Sequence, residues 1–256
     1  MNLIKKRLTT FDLKMLGIVL MVFDHIHQML YFEGVPMWFN MLGRLVAPIF
    51  LFLSAEGFHF THNRKRYMLN LLLGYWVCQF LFYGVSALFP NDKVQLINSI
   101  FGTLFLGLCA MWIYDGFFGT EKYVKKAAIG LIAFISITPL SLFLMTLDFI
   151  PQPIRTGVLK YIPNLLMVEG GLPYVLLALL FYIFRDMRWA QYLTLFALSL
   201  LVFISDPKGT QWLMVFSLVP IYLYNGKKGR SEKWFFYIFY PLHIIILYLI
   251  STIYFI

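Results

Sequence analysis

Charged side chains are scarce in this sequence of 256 residues. Asp, Glu, Lys and Arg make up 13 % of the chain, hydrophobic residues make up 61 %, and the mean hydropathy is +0.76. A soluble domain has about 25 % charged and about 45–50 % apolar residues. Too few polar side chains are present to cover a globule of this size, so a soluble enzyme and a disordered chain are excluded.

Several motifs of well-known chemistry are also missing. The only two cysteines, Cys78 and Cys109, fall within apolar stretches, which excludes a disulfide-rich secreted scaffold. The sequence has no metal-ligand spacing, no nucleophile elbow and no glycine pattern of the Walker or Rossmann type. We therefore expect no metal site, and the residues alone leave an enzyme and a transporter open.

Long apolar stretches are what the sequence has in abundance. Nine of them lie near residues 12–32, 38–58, 67–88, 95–114, 127–147, 171–184, 189–204, 210–224 and 234–254. Since a membrane-spanning helix needs about 20 mostly apolar residues, the sequence predicts an all-α, polytopic membrane bundle of about nine helices. Two segments are short for this length, 171–184 and 210–224. No soluble domain fits between the segments, so residues 1–256 are predicted to form one transmembrane domain.

The distribution of positive charge predicts the orientation in the membrane. With the N-terminus in the cytoplasm, alternate loops place 15 Lys and Arg residues inside and four outside, as the positive-inside rule requires. The inner residues are Lys5, Lys6, Arg7, Arg64, Lys65, Arg66, Lys122, Lys125, Lys126, Arg185, Arg188, Lys227, Lys228, Arg230 and Lys233. Membrane topology thus accounts for the net charge of +9, and no nucleic-acid partner is needed to explain it. The C-terminus is expected outside.

The longest connection, residues 148–170, is expected on the outer side. It carries Pro151, Pro153 and Pro163 among apolar residues. Irregular backbone at membrane depth must be buried in protein or line a cavity, so we expect this segment to be interfacial or re-entrant.

Ionisable residues inside apolar segments indicate a functional site. Each costs about 2.5–3.5 kcal/mol at the centre of a bilayer, so each needs a partner, water or a function. These residues are Asp24, His25 and His27 in the first segment, Arg44 and Glu56 in the second, and His243 in the ninth.

Depth arithmetic places three of these residues together. At a rise of 1.5 Å per residue, Asp24 and His25 lie about 9–11 Å inward from Tyr31, and Arg44 lies about 9 Å inward from Trp38. The short connection between the two segments favours adjacent, antiparallel helices. We expect an ion pair between Asp24 and Arg44 that leaves His25 free to act. A purely structural ion pair is the alternative.

The other candidates lie nearer the cytoplasm. His243 follows Pro241 in the last segment and is a further candidate for the site. The stretch EGFHFTHNRKRY and the turn YNGKKGRSEK combine glycine or asparagine with cations, which suits phosphate binding. Their candidate residues are Glu56, His59, His62, Asn63, Arg64, Lys65 and Arg66 in the first, and Asn225, Lys227, Lys228 and Arg230 in the second. Positive-inside topology alone would also explain these cations.

Four stretches in this order resemble the TraX family. They are LKMLGIVLMVFDHIHQ, GRLVAPIFLFLSAEGFHFTHNRKRY, LINSIFGTLFLGL and YNGKKG followed by FFYIFYPLHIIIL. TraX proteins are membrane acetylases named for N-terminal acetylation of conjugative pilin, and they are similar to the wider superfamily of transmembrane acyltransferases. The resemblance implies acetyl transfer from acetyl-CoA and maps the family's Asp-His pair onto Asp24 and His25 and its Gly-Arg arginine onto Arg44.

The expected enzyme lies in the bacterial plasma membrane. Acetyl-CoA stays cytoplasmic, with its phosphates on the basic residues above, and the acceptor is an extracytoplasmic amine or hydroxyl, on a pilin N-terminus or a cell-surface glycan. His25 is the expected general base, and an acetyl-His25 intermediate is also open.

The alternatives are a proton-coupled transporter or flippase that uses Asp24, His25 and Arg44 as a proton relay, and a non-catalytic scaffold for surface assembly.

Overall fold

A computed structural model describes residues 7–97, 99–230 and 233–255 of the chain. Lys5, Lys6 and the side chain of Lys233, which contribute to the predicted charge asymmetry, lie outside the described residues. The predicted position of the N-terminus in the cytoplasm therefore stays a prediction.

The described residues form eleven α-helices and two 3-10 helices. The α-helices are α1 (Thr10–Leu30), α2 (Trp38–Gly43), α3 (Val46–Phe60), α4 (Arg64–Leu88), α5 (Ile100–Phe118), α6 (Val124–Met145), α7 (Gln152–Tyr161), α8 (Gly171–Ile183), α9 (Arg188–Ser205), α10 (Leu218–Tyr222) and α11 (Lys233–Tyr254). The 3-10 helices are Tyr31–Glu33 and Gln211–Ser217. The predicted all-α class is confirmed.

Seven helical stretches among the described residues are long and apolar enough to cross a membrane. They are Thr10–Glu33, Trp38–Phe60, Arg64–Leu88, Ile100–Phe118, Val124–Met145, Arg188–Ser205 and Trp234–Tyr254. The sequence analysis predicted about nine membrane-spanning helices, two more than these seven. The difference arises because the two short apolar segments form shorter helices, Gly171–Ile183 and Gln211–Tyr222. At 1.5 Å per residue, a helix of 13 residues is only about 20 Å long. The chain is a multi-pass membrane protein.

The chain divides into two compact units, and each is described by itself. The first unit, which we call the α1 unit, comprises the described residues within 1–53, 80–97 and 187–256. The second, the α5 unit, comprises the described residues within 54–79 and 98–186.

In the α1 unit, α1 packs against both α2 and α11. Its first turn is fixed by a capping box, in which the Thr9 hydroxyl accepts from the Asp12 N–H and the Asp12 carboxylate accepts from the Thr9 N–H. Such a box satisfies N–H groups that a helix start leaves unbonded. The C-terminal half of α11 is tied to the connection after α4, because the Tyr248 hydroxyl donates to the Phe89 carbonyl at 2.7 Å. α11 thus contacts both α1 and the connection after α4.

In the α5 unit, α5 packs against α6 and α8. Residues 148–170, predicted to be interfacial or re-entrant, form α7 and a compact connection whose Val168 is buried against α5. The end of α7 is held by α4, since the Tyr75 hydroxyl and the Trp76 indole N–H donate to the carbonyls of Lys160 and Tyr161 at 2.7 and 2.8 Å. Partial burial lowers the pKa of the Lys160 ammonium.

The second apolar segment is a broken helix. Residues 44–45 form a turn between α2 and α3, where the N–H groups of Arg44 and Leu45 donate to carbonyls three residues back. Pro48 explains the break, because a proline has no N–H to donate to the carbonyl four residues earlier, which is that of Arg44. The sequence analysis treated residues 38–58 as one helix and missed this feature. The break places Arg44 at the junction of α2 and α3.

Glycine at position 102 is required for the packing of α5. A Cβ atom there would lie 2.9 Å from Val168 Cγ1 and 3.0 Å from Tyr75 Cδ2. Gly102→Ala is therefore expected to lower the free energy of unfolding by about 1–3 kcal/mol through overpacking. Gly84→Ala is the matched control, because nothing lies within 4 Å of a Cβ at that helical glycine, and alanine favours a helix. Thermal unfolding of the purified proteins in detergent measures both; equal melting temperatures would contradict the packing described.

Candidate functional site

Asp24 of α1 and Arg44 at the α2–α3 break form an ion pair within the α1 unit. Arg44 Nη2 donates to Asp24 Oδ1 at 2.6 Å. The Asp24 side chain is 14 % exposed and the Arg44 side chain is 20 % exposed. Each charge is therefore largely withdrawn from solvent and needs the other. The predicted contact between these two residues is confirmed.

Neutral polar groups complete the surroundings of this pair. Arg44 Nη1 donates to Gln211 Oε1 at 2.9 Å and Arg44 Nε to the Asn40 carbonyl at 3.2 Å. Asn40 Nδ2 and Gln28 Nε2 donate to Asp24 Oδ1 and Oδ2, at 3.4 and 3.3 Å. Both oxygens of the Asp24 carboxylate therefore accept hydrogen bonds from the protein.

The close approach of α1 and α2 depends on Gly43. A Cβ atom at this buried position would overlap the Asp24 carboxyl group. A side chain there would displace the carboxylate from Arg44, so the glycine of the GRLVAP stretch is part of the site.

His25 of α1 and His243 of α11 form a hydrogen-bonded pair. His25 Nδ1 lies 2.7 Å from His243 Nε2, and His243 Nδ1 lies 2.8 Å from the Phe239 carbonyl oxygen. His243 is 8 % exposed and His25 is half-buried. The bonds of the Asp24–Arg44 pair do not involve His25, which is instead bonded through one ring nitrogen to His243, a contact that the sequence analysis did not foresee.

The direction of these bonds fixes the tautomers of the neutral pair. A carbonyl oxygen only accepts, so the Nδ1 of His243 carries hydrogen and its Nε2 is the acceptor. His25 Nδ1 must therefore donate, which leaves a lone pair on His25 Nε2. Among the described residues no hydrogen bond to this Nε2 is found.

Lys14 is an intramembrane cation on the same face of α1. Lys14 and His25 are eleven positions apart in the sequence. This spacing corresponds to a rotation about the helix axis of three turns plus about 20°, at 3.6 residues per turn. The Nζ of Lys14 lies 4.9 Å from the Phe236 ring centroid of α11, and it is close enough to Lys228 for their charges to repel. The sequence analysis did not include Lys14 in the site, although Lys14 lies within the first apolar segment, residues 12–32.

The basic turn, residues 225–230, covers the start of α1. The carbonyls of Lys227 and Lys228 accept from the N–H groups of Thr10 and Phe11 at 2.8 and 3.2 Å. Gly226 and Gly229 have φ values of +79° and +68°, a conformation that favours glycine. Asn225 stabilises the turn, since its Oδ1 accepts from the Lys227 N–H at 2.8 Å. The side chains of Lys227, Lys228 and Arg230 are exposed.

The other candidates predicted on the cytoplasmic side belong to the α5 unit, where Arg64 has a carboxylate partner. Arg64 Nη1 donates to Asp115 Oδ2 at 2.5 Å, and the Tyr182 hydroxyl donates to the same oxygen at 2.7 Å. The guanidinium also lies over the Phe58 ring. Asp115 was not identified from the sequence, although an acidic residue at the end of an apolar segment is a detectable signal. The charge of Arg64 is thereby balanced within the protein.

The remaining residues of the EGFHFTHNRKRY stretch differ in exposure. Glu56 is buried, His59 is half-buried, and His62, Lys65 and Arg66 are exposed. Asn63 caps α4, because its Oδ1 accepts from the Arg66 N–H at 2.9 Å. No group of three or more His, Cys, Asp or Glu side chains suited to a metal ion occurs among residues 7–97, 99–230 and 233–255.

Removing one member of the Asp24–Arg44 pair should cost more stability than removing both. Arg44→Met or Asp24→Asn leaves a withdrawn charge without its partner, at a cost of about 3 kcal/mol. The double variant Asp24→Leu/Arg44→Met is expected to unfold at a higher temperature than Arg44→Met alone. Thermal unfolding in detergent, read by gel filtration, measures the difference. Additive losses in the double variant would contradict coupling of the two side chains.

Comparison with known proteins agrees with these motifs. A family model described as "TraX protein" matches residues 10–251. The chain is also 25 % identical over 250 residues to "Probable fimbrial assembly protein FimC, serogroup H1" of Dichelobacter nodosus, across 93 % of this chain and 94 % of that protein. No solved structure matches the chain. Because the family match extends from the first turn of α1 nearly to the end of α11, the chain belongs to the TraX family.

Proposed function

We propose that this protein is an integral membrane acetyltransferase of the bacterial plasma membrane. It moves the acetyl group of cytoplasmic acetyl-CoA to an amine or hydroxyl of an extracytoplasmic acceptor, a pilin N-terminus or a cell-surface glycan. The proposal rests on the lone pair of His25 Nε2. This lone pair is available because His25 Nδ1 donates to His243 Nε2. The name of the fimbrial assembly relative supports an acceptor at the cell surface.

His25 acts as the general base. Its Nε2 removes the proton of the acceptor as the acceptor attacks the thioester carbonyl. The resulting imidazolium is stabilised because its Nδ1–H points at His243 Nε2, and His243 is in turn held by the Phe239 carbonyl. His25 then gives the proton to the departing thiolate of coenzyme A. His243 is a positioning residue in this mechanism.

Arg44 stabilises the negative charge that develops on the thioester oxygen. A guanidinium has five N–H donors, and the bonds to Asp24, Gln211 and the Asn40 carbonyl engage three of them. The others can donate to an oxyanion, a contribution that is commonly the largest single term in acyl transfer. Asp24 holds the guanidinium in place.

Lys14 fits the role of a phosphate ligand for the donor. Lys14 and His25 are about 16 Å apart along α1. The chain of about thirteen bonds from phosphate to sulfur in coenzyme A extends to about 15 Å, at the reach per bond of an extended backbone. With its diphosphate between Lys14 and the exposed cations Lys227 and Lys228, acetyl-CoA would present its thioester at the level of His25.

A proton-coupled transporter is the second candidate, because a hydrogen-bonded histidine pair inside a membrane can also relay protons. The two functions differ in their requirements. An acetyltransferase consumes acetyl-CoA without a proton gradient, whereas a transporter releases its substrate unchanged and responds to the gradient.

Substitution of the histidine pair tests the general base. In proteoliposomes with labelled acetyl-CoA and membrane-derived acceptor, His25→Ala is expected to lower the rate of acetyl transfer at least about a hundredfold. His243→Leu should also lower kcat. His243→Gln should retain more activity than His243→Leu, because an amide can donate to Phe239 and accept from His25. Transfer at the unaltered rate by His25→Ala would exclude this mechanism.

Substitution of Lys14 tests the donor site. Lys14→Met is expected to raise the KM for acetyl-CoA about tenfold or more, the equivalent of one charge-assisted hydrogen bond, with a smaller effect on kcat. Lys122→Met, which removes an exposed cation before α6, is the matched control and should leave KM unchanged. Equal KM values for the two variants would contradict a role of Lys14 in binding the donor.

A further inference from the structure

Gln211 is bonded to Arg44 but carries out no step of the proposed mechanism. We infer that Gln211 is a positioning residue: its uncharged amide holds the Arg44 guanidinium in the orientation that stabilises the oxyanion and adds no second negative charge beside it. This inference rests on the proposed acetyltransferase function and adds a residue to the same site.

Gln211 belongs to a closed ring of hydrogen bonds around the ion pair. Arg44 Nη1 donates to Gln211 Oε1 at 2.9 Å, and Arg44 Nη2 donates to Asp24 Oδ1 at 2.6 Å. The Thr210 hydroxyl donates to Asn40 Oδ1 at 2.7 Å, and Asn40 Nδ2 donates to Asp24 Oδ1 at 3.4 Å. The peptide bond between Thr210 and Gln211 closes the ring. The two terminal nitrogens of the guanidinium are therefore held by two different elements, α1 and the 3-10 helix that begins at Gln211.

The element that carries Gln211 has an unusual backbone. Gln211–Ser217 is a 3-10 helix of seven residues, whereas runs of this kind longer than three or four residues are uncommon. At about 2.0 Å per residue it spans about 14 Å, against about 10.5 Å for an α-helix of the same length. An α-helix fixed at the Ser217 end would leave Gln211 about 3.5 Å short of this position. The longer rise thus brings the amide of Gln211 within reach of Arg44.

The 3-10 helix is well supported within the α1 unit. It packs against α9, where the ring centroids of Trp212 and Phe203 are 5.5 Å apart. Met214 is fully buried, and its sulfur lies 3.9 Å from Gln211 Nε2. Since only the oxygen of an amide accepts hydrogen bonds, this contact of the nitrogen with sulfur leaves Oε1 to face Arg44.

The neutrality of Gln211 follows from the work assigned to Arg44. Asp24 already supplies one carboxylate to the guanidinium, which balances its single positive charge. A second carboxylate would make the ring anionic and would oppose the negative charge that develops on the thioester oxygen. An amide oxygen accepts the same hydrogen bond from Nη1 without this penalty.

Two substitutions of Gln211 separate positioning from support of the fold. In the proteoliposome assay with labelled acetyl-CoA, Gln211→Leu is expected to lower kcat about tenfold, less than the about 10²–10³-fold cost of losing an oxyanion donor outright, and to leave the KM for acetyl-CoA unchanged. Gln211→Glu keeps the acceptor and strengthens the bond. Its melting temperature should equal or exceed that of the unaltered protein, while its kcat falls at least about tenfold. Gln152→Leu, which removes an exposed amide at the start of α7, is the matched control and should leave kcat unchanged.

A double-mutant cycle tests whether Gln211 acts through Arg44. In the Arg44→Met background, Gln211→Leu should lower kcat no further, because the group that it positions is gone. If Arg44→Met alone does not fold, Asp24→Leu/Arg44→Met serves as the background. Single-turnover assays with enzyme in excess keep the slower reactions measurable.

The outcomes distinguish this inference from the function on which it rests. An unaltered kcat in Gln211→Leu or Gln211→Glu, or a loss from Gln211→Leu that persists in full without Arg44, would overturn the positioning role. If His25→Ala is inactive in the same assay, the acetyltransferase still stands. Transfer at the unaltered rate by His25→Ala would overturn the proposed function and this inference with it.

Discussion

An ionisable side chain within a membrane must be bonded to another polar group of the protein, and the candidate site of this chain is organised by that requirement. Asp24 and Arg44 satisfy it as an ion pair, and His25 and His243 satisfy it as a pair of imidazoles. In the first pair, the carboxylate and three of the five guanidinium N–H groups are hydrogen-bonded to neighbouring residues. Within the part of the chain that the structure describes, the second pair ends in a nitrogen without a hydrogen bond, and for this reason we propose the histidines as the reactive groups and the ion pair as their support.

The sequence was sufficient to predict the fold class and the contact between Asp24 and Arg44, which is one of the two bonded pairs of the site. Long apolar stretches dictate membrane helices because no other structure can bury them, and the cost of charge in lipid singled out Asp24, His25 and Arg44 with a common depth. Two features were beyond this reasoning. The α2–α3 break at Arg44 depends on which carbonyl Pro48 leaves without a donor, and the bond between His25 and His243 joins residues 218 positions apart, which periodicity within one segment cannot reveal.

The cations predicted on the cytoplasmic side illustrate a different limit of sequence reasoning. Arg64 and Lys228 look equivalent in the sequence, since both stand in basic stretches at predicted inner ends of helices. In the structure the guanidinium of Arg64 is balanced by Asp115 and Tyr182, whereas the side chain of Lys228 is exposed on a turn whose carbonyls cap α1. Charge counts set the topology, but only the partners decide which cations remain available to an anion.

The pairing of α1 with α11 has a consequence for biosynthesis. The helix that carries His25, α1, is synthesised long before the helix that carries His243, α11, so the histidine pair cannot form until the ribosome has completed α11. Until then the imidazole of His25 and the start of α1, which awaits residues 227–228 for its backbone bonds, are incompletely bonded in the bilayer. A chain truncated before residue 227 lacks both the His25–His243 bond and the backbone bonds at the start of α1, and under the proposed mechanism it would be inactive.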